Sequence, residues 1–351
     1  MVDNGTKVFI ALSGGVDSST ATALLQREGY DCEGVFMITN ENARHAQAEA
    51  EKVAGELGVK LHVLDLRKDF ERILDYFCSE YRKGRTPNPC VFCNRHMKFS
   101  KLWDFAQSHD ARFLATGHYA RILNSNNDVG LYEAANPSKD QSYVLSMIEK
   151  DILPNIILPM GDYSKDQTRR MAAKFGLGTA QSKESQEICF IPEDDYVAVL
   201  ERRCPELVRK GNIIDGGGKV LGEHNGVHRF TIGQRRGLRG AMGQPYYVTK
   251  IDAKSNTVTL GPKEEVMQNK LRATGTNWLI AKQVSPFRAT VKIRYNNKGV
   301  SATVTPQDNS AVVEFDKPVS AITPGQLAAF YVQEKNNSRL IGGGWIDKAG
   351  D

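Results

Sequence analysis

Over the first two hundred residues the apolar positions switch between strand-like runs and helical spacing. Val8 to Leu12 is a short apolar run that stops at Ser13, Gly14 and Gly15. Ala, Leu and Thr residues then recur at helical spacing as far as Gly29, and a second apolar run extends from Cys32 to Met37. This order predicts a strand, a glycine loop, a helix and a second strand, the β-loop-α-β unit. The pattern recurs with a helix over 46–57 stopped by Gly58, a strand over 60–65, and a helix over 99–108 leading into an apolar strand over 112–116. Near Ser164 the order Ser-Lys-Asp-Gln predicts a capping box between Ser164 and Gln167, ahead of Met171, Ala172 and Phe175 at helical spacing. Strands alternating with helices predict an α/β domain over 1–205, built on a doubly wound parallel sheet.

Beyond Pro205 the texture changes to short β-branched runs broken by Gly216-Gly217-Gly218, Gly222, Gly226 and Gly233, which predicts a small β-rich linker domain over 206–265. Alternation over 289–295, 300–305 and 311–315, with turns at Asn296-Asn297 and Pro324-Gly325, predicts short antiparallel strands. Their natural closure is a C-terminal β-barrel over 266–351. No apolar run reaches the 18 residues of a membrane span, and the run near the start has neither the length nor the flanks of a signal peptide. The expected location is the cytoplasm, with no membrane partner.

Charge divides the 351 residues unequally. The net charge of +5 is too mild to name a partner, but 1–205 holds 25 basic and 29 acidic side chains while 206–351 holds 21 and 12. The second part is therefore a candidate polyanion surface.

Ser13-Gly14-Gly15-Val16-Asp17-Ser18 lies between a predicted strand and a predicted helix, where free backbone N–H groups and the helix dipole favour a phosphate. Gly14 and Gly15 permit close backbone approach, and the hydroxyls of Ser13 and Ser18 can donate to the same oxygens. Asp17 would repel a bare phosphate, which predicts Mg2+ between the two. The loop lacks both G-x-x-x-x-G-K and G-x-G-x-x-G, excluding the simplest kinase-like and dehydrogenase readings. It resembles the pyrophosphate loop of the N-type ATP pyrophosphatases, which cleave ATP between the α and β phosphates to adenylate a substrate.

Six cysteines do not make a disulfide scaffold in a chain of this length. Cys32, Cys78 and Cys204 read as buried or incidental thiols. Cys90 and Cys93 form a C-x-x-C in Thr86-Pro87-Asn88-Pro89-Cys90-Val91-Phe92-Cys93-Asn94, read as a proline-stiffened loop running into a helix, where the dipole and Arg95 or Lys98 can activate a thiol. Ser185-Gln186-Glu187-Ile188-Cys189-Phe190 supplies a third thiol.

These segments, with Gly117-His118-Tyr119-Ala120-Arg121, Lys139-Asp140-Gln141-Ser142-Tyr143 and Thr231-Ile232-Gly233-Gln234-Arg235-Arg236-Gly237-Leu238, resemble the tRNA-specific 2-thiouridylase family. Four or five separated motifs follow the family's order over nearly the whole chain. The resemblance implies an adenine nucleotide alpha hydrolase-like catalytic domain and a two-stage reaction on the wobble uridine of tRNA. ATP adenylates the oxygen at position 2 of the base, then sulfur displaces AMP; a carbonyl oxygen leaves poorly until it is a phosphate ester.

By the same resemblance Cys93 is the first catalytic cysteine and Cys189 the persulfide carrier. ATP is held by Ala11, Leu12, Ser13, Gly14, Gly15, Val16, Asp17, Ser18, Met37 and Gly117. Asn88 and Pro89 stand beside the target base, His118, Lys139, Asp140 and Gln141 near the anticodon loop, and Arg294, Tyr295 and Gln326 in the barrel. Arg235, Arg236 and Arg239 add a charged patch in the linker domain. The implied partners are the anticodon stem-loop of tRNA and a sulfur donor, such as a cysteine desulfurase or a sulfur-relay protein.

One position departs from the commonest family pattern, in which an aspartate follows Asn-Pro; here it is Cys90. A thiol replaces an acid poorly near neutral pH, so the resemblance does not carry that role to Cys90. Cys90, Cys93 and Cys189 also provide three soft ligands, enough for a 4Fe-4S cluster with one open iron, as in related sulfur-transfer enzymes with a three-cysteine site. Cluster and persulfide relay both stay open. A structural Cys3His zinc site with His96 or His118 is a blander alternative that leaves no reactive sulfur. Two functional classes compete with thiolation: a non-catalytic RNA-binding protein with a structural metal, and a pyrophosphate-loop ligase that transfers nitrogen.

Overall fold

The computed structural model describes residues 5–125, 128–182, 188–191, 195–238, 246–281 and 283–350. The chain opens with β1 (Lys7–Ala11), α1 (Val16–Arg27), β2 (Asp31–Ile38), α2 (Arg44–Leu57) and β3 (Lys60–Asp65). Then come α3 (Arg67–Arg82), α4 (Pro89–Cys93), α5 (Lys101–Gln107), β4 (Phe113–Ala115), the hairpin β5 (Ala120–Ser125) and β6 (Asp128–Glu133), β7 (Ile156–Ile157) and α6 (Lys165–Lys174). Among the described residues β3, β2, β1, β4 and β7 form a parallel sheet in that order. This is the expected doubly wound architecture.

The capping box forms as read: Ser164 Oγ accepts from Gln167 N, and Gln167 returns the bond to the Ser164 N–H. Gly58 ends α2 in a left-handed conformation at φ 65°. Helix α1 is buried on nearly every side although it is rich in hydroxyls. Thr20 and Thr22 make this tolerable by donating back to Val16 O and Ser18 O at 2.7 and 2.8 Å, so no hydroxyl is buried unpaired there.

Two elements of this region escape the pattern reading. Helix α3 carries Phe70, Ile73, Phe77 and Tyr81 at helical spacing, all buried, but charged residues between them mask the stripe. The β5–β6 hairpin interrupts the strand-helix alternation, and no parallel-sheet expectation predicts it.

After α7 (Tyr196–Arg203) the chain is almost entirely β. β8 (Gly211–Asp215), β9 (Val220–His224), β10 (Tyr247–Asp252) and β11 (Thr257–Gly261) form a small sheet in the order β10-β11-β8-β9, around Val227, Phe230, Val248, Val258 and Leu260. The last part comprises β12 (Met267–Trp278), β13 (Phe287–Lys292), β14 (Val300–Pro306), β15 (Ser310–Ser320), β16 (Leu327–Glu334) and β17 (Asn337–Ala349). They pair in the order β12-β15-β14-β13-β16-β17, and β17 returns to β12 to close a barrel. Closure leaves no open sheet edge there.

Two compact units do not follow sequence order. The first holds residues 1–72, 90–186 and 332–341; the second holds 73–89, 187–331 and 342–351. The turn end of the β16–β17 hairpin thus belongs to the first unit, where Arg339 and Leu340 pair with Tyr132 and Leu131 of β6. Among the described residues no helix is long and apolar enough to cross a membrane.

Candidate active site

In the first unit β1 ends at Ala11, and a short loop turns the chain into α1. Gly14 adopts φ +78°, and a Cβ there would stand 2.9 Å from Ala50 N, so this turn against α2 admits no side chain. Gly15 precedes α1 in an extended conformation, and no side chain caps the helix. The first-turn N–H groups are thereby open to an acceptor arriving from outside. Ser18 braces the loop: its Oγ accepts from Ser13 N at 3.2 Å and donates to Gly15 O at 3.1 Å. Ser13 is exposed, and its Oγ shares a 3.2 Å hydrogen bond with Ser18 Oγ.

Strand order runs outward from β1 through β2 to β3 on one side and from β4 to β7 on the other. The loops after β1 and β4 therefore flank the crevice where the order reverses, the place such sheets bind ligands. Gly117, just after β4, lies against the start of α1; a Cβ on it would be 2.9 Å from Ser18 N. Met37 is half-buried near the end of β2, at the same carboxyl edge. Ser13–Ser18, Met37 and Gly117 thus share one edge of one sheet.

Asp17 has partners within the protein. Lys165 Nζ, at the start of α6, donates to both carboxylate oxygens of Asp17 at 2.7 and 2.8 Å, and Tyr119 Oη donates to Oδ1 at 2.7 Å. Tyr119 Oη also shares a hydrogen bond with Thr168 Oγ1 at 2.9 Å. The carboxylate is already balanced by a cation, so it does not by itself require Mg2+ beside a phosphate. Thr168 is absent from the sequence reading, and Lys165 and Tyr119 appear there only inside quoted runs, since nothing local announces a pair 148 residues apart.

Cys90 and Cys93 stand on α4 rather than on a loop, three residues apart on one helical face, and a π-helical turn over 94–98 continues the run. The positive end of the helix dipole therefore falls near Cys90, with Cys93 further along. Asn94 Nδ2 donates to Val144 O at 2.9 Å and pins this run within the first unit. Cys90 is exposed and Cys93 half-buried, whereas Cys32, Cys78 and Cys204 are buried. Burial pushes the Cys32 thiol up to about 12, which leaves it an inert protonated group.

Cys189 is exposed in the second unit, and its neighbour Phe190 packs edge-on against Phe77 with centroids 5.4 Å apart. Ser185, Gln186 and Glu187 lie outside the described residues, as does Arg239. Among the described residues no three His, Cys, Asp or Glu side chains stand together as a metal site. Cys90 and Cys93 belong to the first unit and Cys189 to the second.

Several residues expected at RNA are occupied inside the protein. His118 is buried and shares a 2.7 Å hydrogen bond with Thr116 Oγ1; burial, with the charge of Lys98 nearby, holds its imidazole well below the usual range. Buried Asp140 accepts from Ala134 N, Ser142 N and Ser142 Oγ at 3.0, 3.1 and 2.8 Å, and so builds its own loop. Gln141 is half-buried and accepts from Tyr119 N at 2.9 Å, while Lys139 is half-exposed beside it. In the second unit Gln326 Nε2 donates to the carbonyls of Thr86 and Pro87 at 3.0 and 3.2 Å, fixing the segment that leads into Asn88 and Pro89. Arg294 Nη2 donates to Ile232 O, Ala321 O and Thr323 Oγ1 at 2.9, 3.1 and 2.7 Å, and Tyr295 is exposed.

Comparison with known proteins agrees with this architecture. Residues 6–193 match the family model described as tRNA methyl transferase HUP domain, 198–262 its PRC-barrel domain, and 268–346 the aminomethyltransferase beta-barrel domain. The tRNA-specific 2-thiouridylase MnmA of Syntrophotalea carbinolica is 42% identical over 99% of this chain and 100% of its own. That of Clostridium acetobutylicum is 41% identical over 97% and 99%. Among solved structures, the U34-tRNA thiolase NcsA from Methanococcus maripaludis with its 4Fe-4S cluster matches at a TM-score of 0.37 and 18% identity, over 59% of this chain and 68% of its own. A 4-thiouridine synthetase–RNA complex with bound ATP matches at 0.39 and 19%, over 58% and 52%.

Fold and site together define an ATP-using α/β enzyme of the pyrophosphate-loop class. The chain belongs to the tRNA-specific 2-thiouridylase family, whose members are tRNA-uridine 2-sulfurtransferases. This sets aside the non-catalytic RNA-binding and nitrogen-transferring readings.

Proposed function

We propose that this chain performs ATP-dependent 2-thiolation of the wobble uridine of tRNA through a cysteine persulfide. The observation that carries the reading is the uncapped start of α1 behind Gly14 and Gly15, at the point where the sheet order reverses. There the N–H groups receive the phosphates of ATP, Ala11 to Ser18 and Gly117 form the walls, and Met37 contacts the base. Mg2+ arrives with the nucleotide and offsets phosphate charge; Lys165 keeps Asp17 from opposing it. The base oxygen at position 2 bonds to the α phosphorus, and pyrophosphate leaves with the electron pair of the broken bond. The terminal sulfur of a Cys189 persulfide then attacks position 2, and AMP departs with the oxygen. The Cys93 thiolate attacks the Cys189 sulfur, forming a disulfide and releasing the 2-thiouridine; a thiol reductant resets the pair.

No step is routed through iron in this reading, and Cys90 stands where the resemblance puts an acid. Asn88 and Pro89 lie beside the target base, and Lys139, Gln141 and Tyr295 supply direct RNA contacts. His118, Asp140, Arg294 and Gln326 act by holding the loops that make them. The three domains over 1–205, 206–265 and 266–351 divide the work into adenylation, linkage and tRNA binding, a sulfur donor recharges Cys189, and the enzyme works in the cytoplasm.

The test is Cys189→Ser assayed for tRNA-dependent pyrophosphate release and for 2-thiouridine. Release persists and thiolation is lost; thiolation at the unsubstituted rate would overturn the sulfur role. Iron and acid-labile sulfide after anaerobic purification decide the second point. About four of each per chain would replace the relay with a cluster.

A further inference from the structure

The chemistry above makes no use of the loop from Thr231 to Gly237, yet the second unit builds that loop with care. Gly233 N donates to Val248 O of β10 at 2.8 Å and Val248 N donates to Gln234 O at 3.0 Å, so the loop is laced to the sheet edge. Gln234 closes it from within, accepting from Thr231 N at 3.0 Å and donating to Arg236 O at 3.1 Å. Gly233 is left-handed at φ +82°, and a Cβ there would overlap the Ala321 side chain. The Arg294 bond to Ile232 O holds the base of the loop against the barrel.

This framework presents Arg235 and Arg236, both exposed, at an open groove of about 480 Å³ lined by Gln234, Arg235, Arg236 and Tyr247. Neither arginine has a carboxylate partner among the described residues. Elsewhere in the same unit Arg82, Arg203, Arg229 and Arg288 are each paired with an acid. Two adjacent guanidinium groups without counter-charge repel each other, so a braced loop that keeps them together favours an anion from outside. The groove is too open to enclose a small ion, and among the described residues no acidic side chain lines it. Over 206–262 there are nine basic and four acidic residues, so the local field has the same sign. A guanidinium fork matches phosphate oxygens, and a tyrosine beside it suits a sugar or a base.

We propose that this groove binds the phosphate backbone of the substrate RNA away from the reacting nucleotide; the proposal rests on tRNA being the substrate. Phosphate contacts fix register and carry no sequence information, so the groove contributes affinity and orientation equally for every tRNA accepted.

The experiment compares the full chain with Arg235→Gln/Arg236→Gln, measuring tRNA Kd across salt concentrations and steady-state thiolation. At about 0.15 M salt the double variant binds tRNA ~10-fold more weakly, and its slope of log Kd against log salt is flatter by about one to two. The kcat at saturating tRNA and the KM for ATP stay unchanged, and Arg235→Lys/Arg236→Lys recovers part of the lost affinity. Unchanged Kd and slope would overturn the proposal, as would a loss confined to sulfur-donor-dependent turnover, which would assign the groove to a protein. An unsubstituted chain that binds tRNA but never thiolates it would break the function proposed above while leaving the binding comparison decisive for the groove.

Discussion

The loop after β1 and the loop at Thr231–Gly237 both depend on left-handed glycines, and they expose opposite things. At Ser13–Gly15 the glycines leave backbone N–H groups open at a helix start, while the charge beside them is cancelled internally between Asp17 and Lys165. At Thr231–Gly237 backbone groups are tied to β10 and to the Arg294 side chain, and among the described residues no acid pairs with Arg235 or Arg236. The first arrangement offers fixed dipoles to a ligand that must be placed to a fraction of an ångström for chemistry. The second offers long flexible cations to a polymer whose position need only be approximately right. Glycine content alone says only that a loop is tightly built; what its neighbours neutralise says for whom.

Substitutions can break the contrast at either end, and the largest effect belongs to the first loop. Gly14→Ala forces a Cβ onto Ala50 N at a positive φ, and tRNA-dependent pyrophosphate release falls by ~100-fold or more while tRNA Kd is unchanged. Next comes Lys165→Met, which leaves the Asp17 carboxylate uncompensated beside incoming phosphates. The KM for ATP rises ~10-fold, and Asp17→Asn in the same chain restores part of it, as a double-mutant kinetic cycle would reveal. Gly233→Ala displaces the second loop without removing a charge; tRNA KM rises about three-fold with kcat and ATP KM intact, because one or two phosphate contacts are a minor part of the whole. An equal fall in pyrophosphate release would erase the distinction between the loops.

The smallest effect is in stability. Burial depresses the imidazoles of His118 in the first unit and His224 in the second. Unfolded histidine takes a proton below about pH 6.5 and these folded ones do not, so the unfolded state binds more protons and stability is lost as pH falls below that value. His118→Gln flattens the fall in denaturation midpoint between about pH 6.5 and pH 5, and a slope as steep as that of the unsubstituted chain would clear His118 of the effect.

Much of this was legible in the sequence because it is local. The glycine loop, the strands at 8–12, 32–37 and 60–65, the stop at Gly58 and the Ser164 capping box each depend on neighbours within a few residues. The partners of charge are a different matter. The sequence shows Asp17 beside a phosphate loop but not the Lys165 that the packing of α6 on α1 brings to it, and it shows Asp140 in a motif but not its bonds to Ala134 and Ser142. Arg294 and Gln326 are placed at RNA by the resemblance, and their hydrogen bonds end on carbonyls of Ile232, Thr86 and Pro87. A polar side chain's sequence shows that it has bonds to make; only the fold shows which are already made. Cys90 and Cys93 were read on a loop because Pro87 and Pro89 suggest one, although a proline is well tolerated in the first turn of a helix.

The β16–β17 hairpin carries one more consequence, concerning the order in which the chain is made. Arg339, near its turn, pairs with Asp128 and Glu334, and Tyr132 Oη donates to Glu334, all within the first unit. Residues 332–341 are made only after the whole of 1–331, so the first unit waits for them to complete it. A nascent chain, or one shortened by its final twenty residues, leaves β6 with an unpaired edge. The edge of β6 is therefore covered only once the barrel strands β12 to β16 have been translated, which couples the completion of the first unit to that of the barrel.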